Sequence, residues 1–99
     1  MNYSIEKVTT LIGARRYGET EATIGFVLTD SRSLCFPEET LFFALKSERN
    51  DGHNYIEDLY HRGVRNFVVE VVPKDWQQRF PKSNFLKVVG SLEALQRLA

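Results

Sequence analysis

The spacing of apolar positions predicts short helices at both ends of the chain and short buried strands between them. A first helix is expected between Ser4, which can cap it, and Gly13, which can end it. Its apolar face consists of Ile5, Val8 and either Leu11 or Ile12. The segment that follows, ARRYGETEAT, is polar and is predicted to be a connector.

Nearly continuous apolar runs predict four strands, of which Asn66–Val72 is expected to be buried on both faces by helices. These runs are Ile24–Thr29, Leu41–Leu45, Asn66–Val72 and Phe85–Val89. A loop containing Pro37 is predicted for residues 33–40, between the first two runs.

Three more helical segments are predicted between and after these strands. The longest runs from about His53 to Arg62, with Gly63 as its stop. Its apolar stripe consists of Tyr55, Ile56, Leu59 and Tyr60. A short turn after Pro73 places Trp76 and Phe80 on one side, and Ser91 is expected to cap a final helix that reaches Ala99. The inner face of that final helix is predicted to hold Leu92, Leu95 and Leu98.

The order of these elements predicts an α/β fold. Strands joined by helical crossovers favour a small, open, mostly parallel sheet, here of about four strands, with flanking helices. A length of 99 residues suits a single domain.

Charge, cysteine content and hydropathy restrict the binding partners and the cellular location that we expect for this chain. The 13 basic and 13 acidic side chains balance, which argues against binding to nucleic acid or to an anionic membrane. Cys35 is the sole cysteine, the N-terminus lacks an apolar signal region, and no stretch is long enough to span a bilayer. We therefore expect a cytoplasmic protein.

Candidate chemistry lies where a strand ends and where a helix begins, the places at which open α/β sheets bind ligands. The strand-end segment is Thr29–Arg32, and the helix start is Asp51–His53. Hydroxyls, a guanidinium, an imidazole and a glycine suit a diphosphate better than a chemical step. Read singly, each of these groups is better explained as a turn or a cap.

The combined spacing is more specific. TDSR, eight residues, LFFALK, four residues, DGHNYI and then GVRNFVVE, within about residues 24–70, resemble the N-terminal domain of the Mur ligases. These enzymes add amino acids or D-alanyl-D-alanine to UDP-N-acetylmuramoyl peptides in peptidoglycan synthesis. The string ALKSERNDGH is closer to the ligase that adds D-alanyl-D-alanine, which in some bacteria is fused to an alanine racemase. The ligase that adds the third peptide residue remains an alternative.

The resemblance implies that this domain holds the UDP part of the substrate. The residues implied to bind it are Thr29, Ser31, Arg32, Lys46, Asp51, Gly52 and His53. Ser31 would donate its hydroxyl, and Arg32 or Lys46 would offset negative charge. Asp30 would fix the turn, since a carboxylate repels a diphosphate.

The chain contains no G-x-x-G-K-[ST] loop of the kind that ATP-dependent ligation requires. The resemblance implies that ATP and Mg²⁺ bind to the central domain of a full-length ligase, so this piece alone is not expected to be catalytic. Residues 1–99 are expected to be one UDP-substrate-binding domain, with the helix from about Ser91 leading toward that ATP-binding domain. The central and C-terminal ligase domains of the same chain would be its partners. His53 and His61 lack further ligands at zinc spacing, so no metal site is predicted.

Two other classes of function stay open. Because each motif also has a structural explanation, the chain could be an α/β interaction domain without a nucleotide ligand. A stand-alone hydrolase built on Ser31, His53 and an aspartate is disfavoured, because no G-x-S-x-G elbow is present.

Overall fold

A computed structural model of the protein describes residues 2–98. A five-stranded sheet forms the centre of the fold. The strands of this sheet are β2 (Arg15–Tyr17), β4 (Phe26–Leu28), β5 (Thr40–Phe43), β6 (Asn66–Val69) and β7 (Asn84–Lys87). They lie in the order β2-β7-β6-β5-β4. Strands β4 to β7 pair in parallel, and β2 pairs antiparallel with β7. Two shorter strands, β1 (Tyr3–Ser4) and β3 (Thr23–Ile24), form a separate antiparallel pair.

Helices cover both faces of the sheet. They are α1 (Ile5–Ile12), α2 (Ile56–His61), α3 (Trp76–Arg79) and α4 (Ser91–Leu98). Single 3₁₀ turns occur at Ser31–Ser33, Pro37–Glu39 and Gly52–Tyr55. The predicted α/β fold, with a mostly parallel sheet between flanking helices, is confirmed. The sheet has five strands where about four were predicted.

Successive side chains on the central strands point into two separate cores, as the period of two in a strand requires. On β5, Leu41 and Phe43 pack with α1 and α4, while Phe42 packs with α2 and the segment around Phe80. All three are buried, as is every residue of β6. The predicted burial of the Asn66–Val72 run on both faces is confirmed for the strand itself, Asn66–Val69.

The first helix ends as predicted. Ser4 Oγ accepts a hydrogen bond of 3.1 Å from the Lys7 amide, and Gly13 closes the helix in the left-handed conformation at φ 67°. Of the two alternatives for the last apolar position, Ile12 is buried and Leu11 is 43% exposed.

The prediction that residues 14–23 form only a connector is wrong. Arg15–Tyr17 is the antiparallel edge strand β2, held against the free side of β7. The Arg16 guanidinium bonds to Asn84 Oδ1 at 3.2 Å and to the Thr20 carbonyl at 2.9 Å. Pairing with a distant strand, and not local apolar pattern, makes this strand.

The structure also differs from the predictions in which helix faces are buried and where some elements begin and end. The segment predicted as a helix from His53 begins with a 3₁₀ turn, which leaves Tyr55 36% exposed. On α4, Ala94 is buried and Leu92 is 55% exposed, so Leu92 is not on the inner face. The predicted third and fourth strands extend past the observed ends at Val69 and Lys87. Ala99, the end of the predicted last helix, lies outside the described residues.

Among residues 2–98, no helix has the length and apolar character that crossing a bilayer requires.

Candidate functional site

A cleft of about 780 Å³ lies at the carboxyl edge of the parallel strands. Its wall is formed by segments that follow β4, β5 and β6 and by the start of α4. The predicted site residues that line it are Thr29, Ser31, Arg32, Lys46 and Gly52. Because parallel strands end at one edge of the sheet, residues far apart in sequence meet there. The fold thus brings these five predicted residues together in one cleft.

The turn after β4 is fixed by Asp30. Its Oδ1 accepts a 3.0 Å hydrogen bond from the Arg32 amide, and its Oδ2 forms a 2.9 Å ion pair with the Arg32 guanidinium. These bonds from Arg32 lower the pKa of Asp30 to about 2 and raise that of the guanidinium. The predicted role of Asp30 in fixing the turn agrees with this geometry. The guanidinium is 88% exposed and reaches the cleft already paired with a carboxylate.

The turn after β5 presents Lys46 beside a closely packed glycine. Lys46 and Asp51 form an isolated antiparallel bridge, and the Gly52 amide donates to the Leu45 carbonyl at 2.7 Å. A Cβ on Gly52 would lie 2.8 Å from Ala44 Cα and from the Leu45 nitrogen, so no larger side chain fits against this backbone. Gly52 therefore owes its identity to packing at the cleft floor. Within residues 2–98, Lys46 makes no ion pair within 4 Å.

Asp51 and His53 line a second cleft, of about 520 Å³, which shares Lys46 and Glu70 with the first. Asp51 Oδ1 accepts from the His53 amide at 2.9 Å, and this bond lowers the pKa of Asp51. His53 Nε2 accepts from the Glu70 amide at 3.0 Å, since a backbone N–H can only donate. Nδ1 must then carry the proton that it donates to Asp51 Oδ1 at 2.6 Å.

Both ring nitrogens of His53 are therefore used inside the fold. The ring ties the start of the 3₁₀ turn to the end of β6, and it is only 17% exposed. A ligand bond through the ring would need one of these hydrogen bonds to break. His53 has the geometry of a residue that positions the neighbouring backbone.

Glu70 is a cleft residue that sequence reasoning did not select. It directly follows β6, and its Oε2 accepts from the Ser91 amide at 2.9 Å and from the Ser91 hydroxyl at 2.8 Å. The amide bond is the larger cause of a lowered pKa for Glu70. Ser91 was predicted to cap α4 by accepting a hydrogen bond. Its hydroxyl instead donates to Glu70, whose carboxylate accepts from the first residue of the helix. The strand-end rule selects Glu70 only when the strand is known to end at Val69.

The cleft is not strongly basic. Its charged lining residues are Arg32 and Lys46 against Asp30, Glu70 and Glu93, which is two cations against three anions and a formal sum of −1.

The described residues contain no cluster of three or more His, Cys, Asp or Glu side chains suited to a metal ion. Cys35 is an exposed free thiol outside both clefts.

Known proteins resemble this chain in fold and not in sequence. No protein-family model matches the chain, and no curated protein matches its sequence. Among solved structures, the UDP-N-acetylmuramoylalanyl-D-glutamyl-2,6-diaminopimelate–D-alanyl-D-alanyl ligase from Acinetobacter baumannii matches 99% of this chain at a TM-score of 0.83 and 23% identity. Two crystal structures of MurF from Acinetobacter baumannii match it with the same score and identity.

The match is confined to part of those enzymes. This chain spans about a fifth of their length, 21% of the first and 20% of the other two. At 23% identity such a match establishes the fold. The resemblance to the Mur ligases is therefore confirmed at that level, and this chain is similar in fold to a segment of MurF.

Proposed function

We propose that this domain binds the UDP moiety of a UDP-N-acetylmuramoyl peptide for an ATP-dependent ligase of peptidoglycan synthesis. The ligase step proposed is the addition of D-alanyl-D-alanine, as the names of the matching Acinetobacter enzymes state for those proteins. ATP, Mg²⁺ and the bond-forming step are assigned to other domains of a longer ligase. Thr29, Ser31, Arg32 and Lys46 would contact the ligand, and Asp51, Gly52 and His53 would shape the loop beside it.

The observation that carries this proposal is the convergence of TDSR, Lys46 and Gly52 on one cleft at the carboxyl edge of the sheet. In open α/β folds this edge is the general site of ligand binding. The Ser31 hydroxyl can donate to a phosphate oxygen. Lys46, which has no ion pair with another described residue, supplies a charge that a diphosphate can neutralise.

The charge balance of the cleft favours a second candidate. A formal sum of −1 and a guanidinium already paired with Asp30 suit a domain that contacts another protein surface without a nucleotide. Such a domain would not distinguish UDP from uridine.

Calorimetric titration of the chain separates these candidates. UDP is expected to bind and uridine to bind at least tenfold more weakly, because charge-assisted bonds to phosphate would be missing. Lys46→Ala is expected to weaken UDP binding by about three- to tenfold, since one exposed cation contributes roughly 1 kcal/mol. Lys7→Ala is the matched control, because this exposed lysine on α1 lines neither cleft. Absence of UDP binding, or equal affinities for UDP and uridine, would favour the interaction domain.

A further inference from the structure

Glu70 occupies the middle of the carboxyl edge of the sheet. It directly follows β6, the third of five strands in spatial order, and it lines both clefts. A ligand that lies along this edge must pass its carboxylate.

One oxygen of this carboxylate is held and the other is available. Oε2 accepts both hydrogen bonds from Ser91, which fixes the orientation of the group. Oε1 has no hydrogen-bond partner among residues 2–98. The same bonds keep the pKa of Glu70 below its ordinary value, so the group is an anion at neutral pH and can only accept. An oriented acceptor of this kind suits a neutral hydroxyl donor.

Charge changes along the edge. Lys46 follows β5 and has no ion pair with another described residue, Arg32 after β4 is paired with Asp30, and the carboxylate of Glu70 follows β6. Neighbouring strands lie about 4.8 Å apart, so the ends of β4 and β6 are separated by about 10 Å. A diphosphate is attracted to the basic end of this edge and repelled from Glu70. The part of a nucleoside diphosphate that carries neutral vicinal hydroxyls next to the diphosphate is the ribose.

We infer that Glu70 Oε1 accepts a hydrogen bond from a ribose hydroxyl of the bound nucleotide and makes the site selective for ribonucleotides. This inference rests on the proposed function, and it sets the direction of the ligand, with the diphosphate toward β4 and β5 and the ribose at β6.

The test compares UDP with 2′,3′-dideoxy-UDP, both titrated into the ¹⁵N-labelled chain. The wild-type protein is expected to bind UDP at least about tenfold more tightly, as a hydrogen bond to a charged acceptor predicts. Glu70→Gln is expected to reduce this ratio to about twofold or less. The two Ser91 donors would hold the new carbonyl oxygen, so the amide NH₂, which cannot accept, would face the ligand.

Glu93→Gln is the matched control, because Glu93 is an exposed carboxylate of the same cleft. Its ratio is expected to equal that of the wild type. If the wild-type protein binds UDP tightly and binds 2′,3′-dideoxy-UDP equally well, the inference is overturned and the proposed function stands. This comparison uses only the wild-type protein, so it does not depend on whether a variant folds. A ratio that persists in Glu70→Gln, or that falls equally in Glu93→Gln, also overturns it. Failure of both nucleotides to shift any resonance overturns the proposed function and the inference together.

Discussion

At the residue scale, the cleft combines groups that face a ligand with groups that hold the backbone in place. Asp30, Gly52 and His53 each have a contact inside the protein that explains their identity: an ion pair, a close backbone approach and hydrogen bonds at both ring nitrogens. Lys46 makes no ion pair within 4 Å in the described part of the chain. TDSR and DGH therefore combine structural and candidate binding residues, and sequence alone could not separate the two because both kinds of residue lie at strand ends and helix starts.

The ion pair within TDSR predicts a gain in affinity. Asp30→Asn keeps an oxygen that can accept from the Arg32 amide and removes the charge that pairs with the guanidinium. We expect UDP to bind about two- to fivefold more tightly, a small gain because an exposed ion pair is weak in water. Calorimetry at low and high salt measures this. A gain that is unchanged by salt, or weaker binding, would contradict the expectation.

Gly52 predicts a loss of stability. Gly52→Ala places a methyl group 2.8 Å from the backbone of Ala44 and Leu45, where neither can move without disturbing β5. We expect a cost of about 1–3 kcal/mol, typical of overpacking. Urea unfolding measures the change, with Asn54→Ala, an exposed position in the same turn, as the control. Equal midpoints for the two variants would show that the backbone approach is not tight.

At the element scale, the buried central strands were predictable and the edge was not. Residues 41–44 and 67–69 are apolar because β5 and β6 are covered on both faces, so their composition directly indicates burial. Strand β2 consists of Arg15, Arg16 and Tyr17, and it exists because β7 offers a free edge. The face of α4 was misassigned at Leu92 because a helix with regularly spaced leucines fits more than one rotation on the sheet. Ala94, a small residue, faces the core instead.

The link between the turn at Gly52–Tyr55 and β6 depends on His53. His53→Phe keeps a ring of similar shape and removes the hydrogen bonds of the imidazole, which leaves the Glu70 and Val71 amides without this acceptor. We expect a loss of about 1–3 kcal/mol in the free energy of unfolding. His61→Phe, on the exposed end of α2, is the matched control and is expected to change stability by less than about 0.5 kcal/mol. Comparable losses in both variants would contradict a specific role for His53.

At the scale of the whole molecule, three carboxylates make the fold sensitive to acid. Hydrogen bonds hold the pKa values of Asp30, Asp51 and Glu70 below the ordinary values of 3.8 for Asp and 4.5 for Glu. A group with a lower pKa in the folded state stabilises the fold above its unfolded pKa, and this contribution is lost as pH falls through the folded value. Stability should therefore decline between about pH 4.5 and pH 2, the value to which the pKa of Asp30 falls.

Thermal unfolding across this range provides the check. Glu70→Gln is expected to be less stable at pH 7 and to lose less on acidification, with a difference in Tm on the order of a few °C, because exposed groups are screened by solvent. Glu57→Gln, an exposed carboxylate of α2, should follow the wild-type curve. A wild-type Tm that stays level from pH 5 to pH 2 would contradict the assigned hydrogen bonds.

The candidate site was foreseen in outline for a reason that belongs to the whole fold. Parallel strands deliver their carboxyl ends to one edge, so TDSR and Lys46 had to meet once the strands were correctly identified. Glu70 was missed because the predicted third strand ran to Val72, which placed this residue inside a strand instead of just beyond its end. The strand ends at Val69. An error of three residues at an element end thus concealed a residue at the centre of the cleft.

The most direct test of the central claim is a titration of the ¹⁵N-labelled chain with UDP, followed by amide chemical shifts. Binding in the cleft predicts that the largest shifts occur at Ser31, Arg32, Lys46 and Glu70 and that residues of α1 remain unchanged. Weak affinity is compatible with this outcome, because the pattern of shifts locates the ligand. Absence of shifts at millimolar UDP, or shifts that are largest away from the carboxyl edge of the sheet, would contradict the proposal that this domain holds a UDP diphosphate.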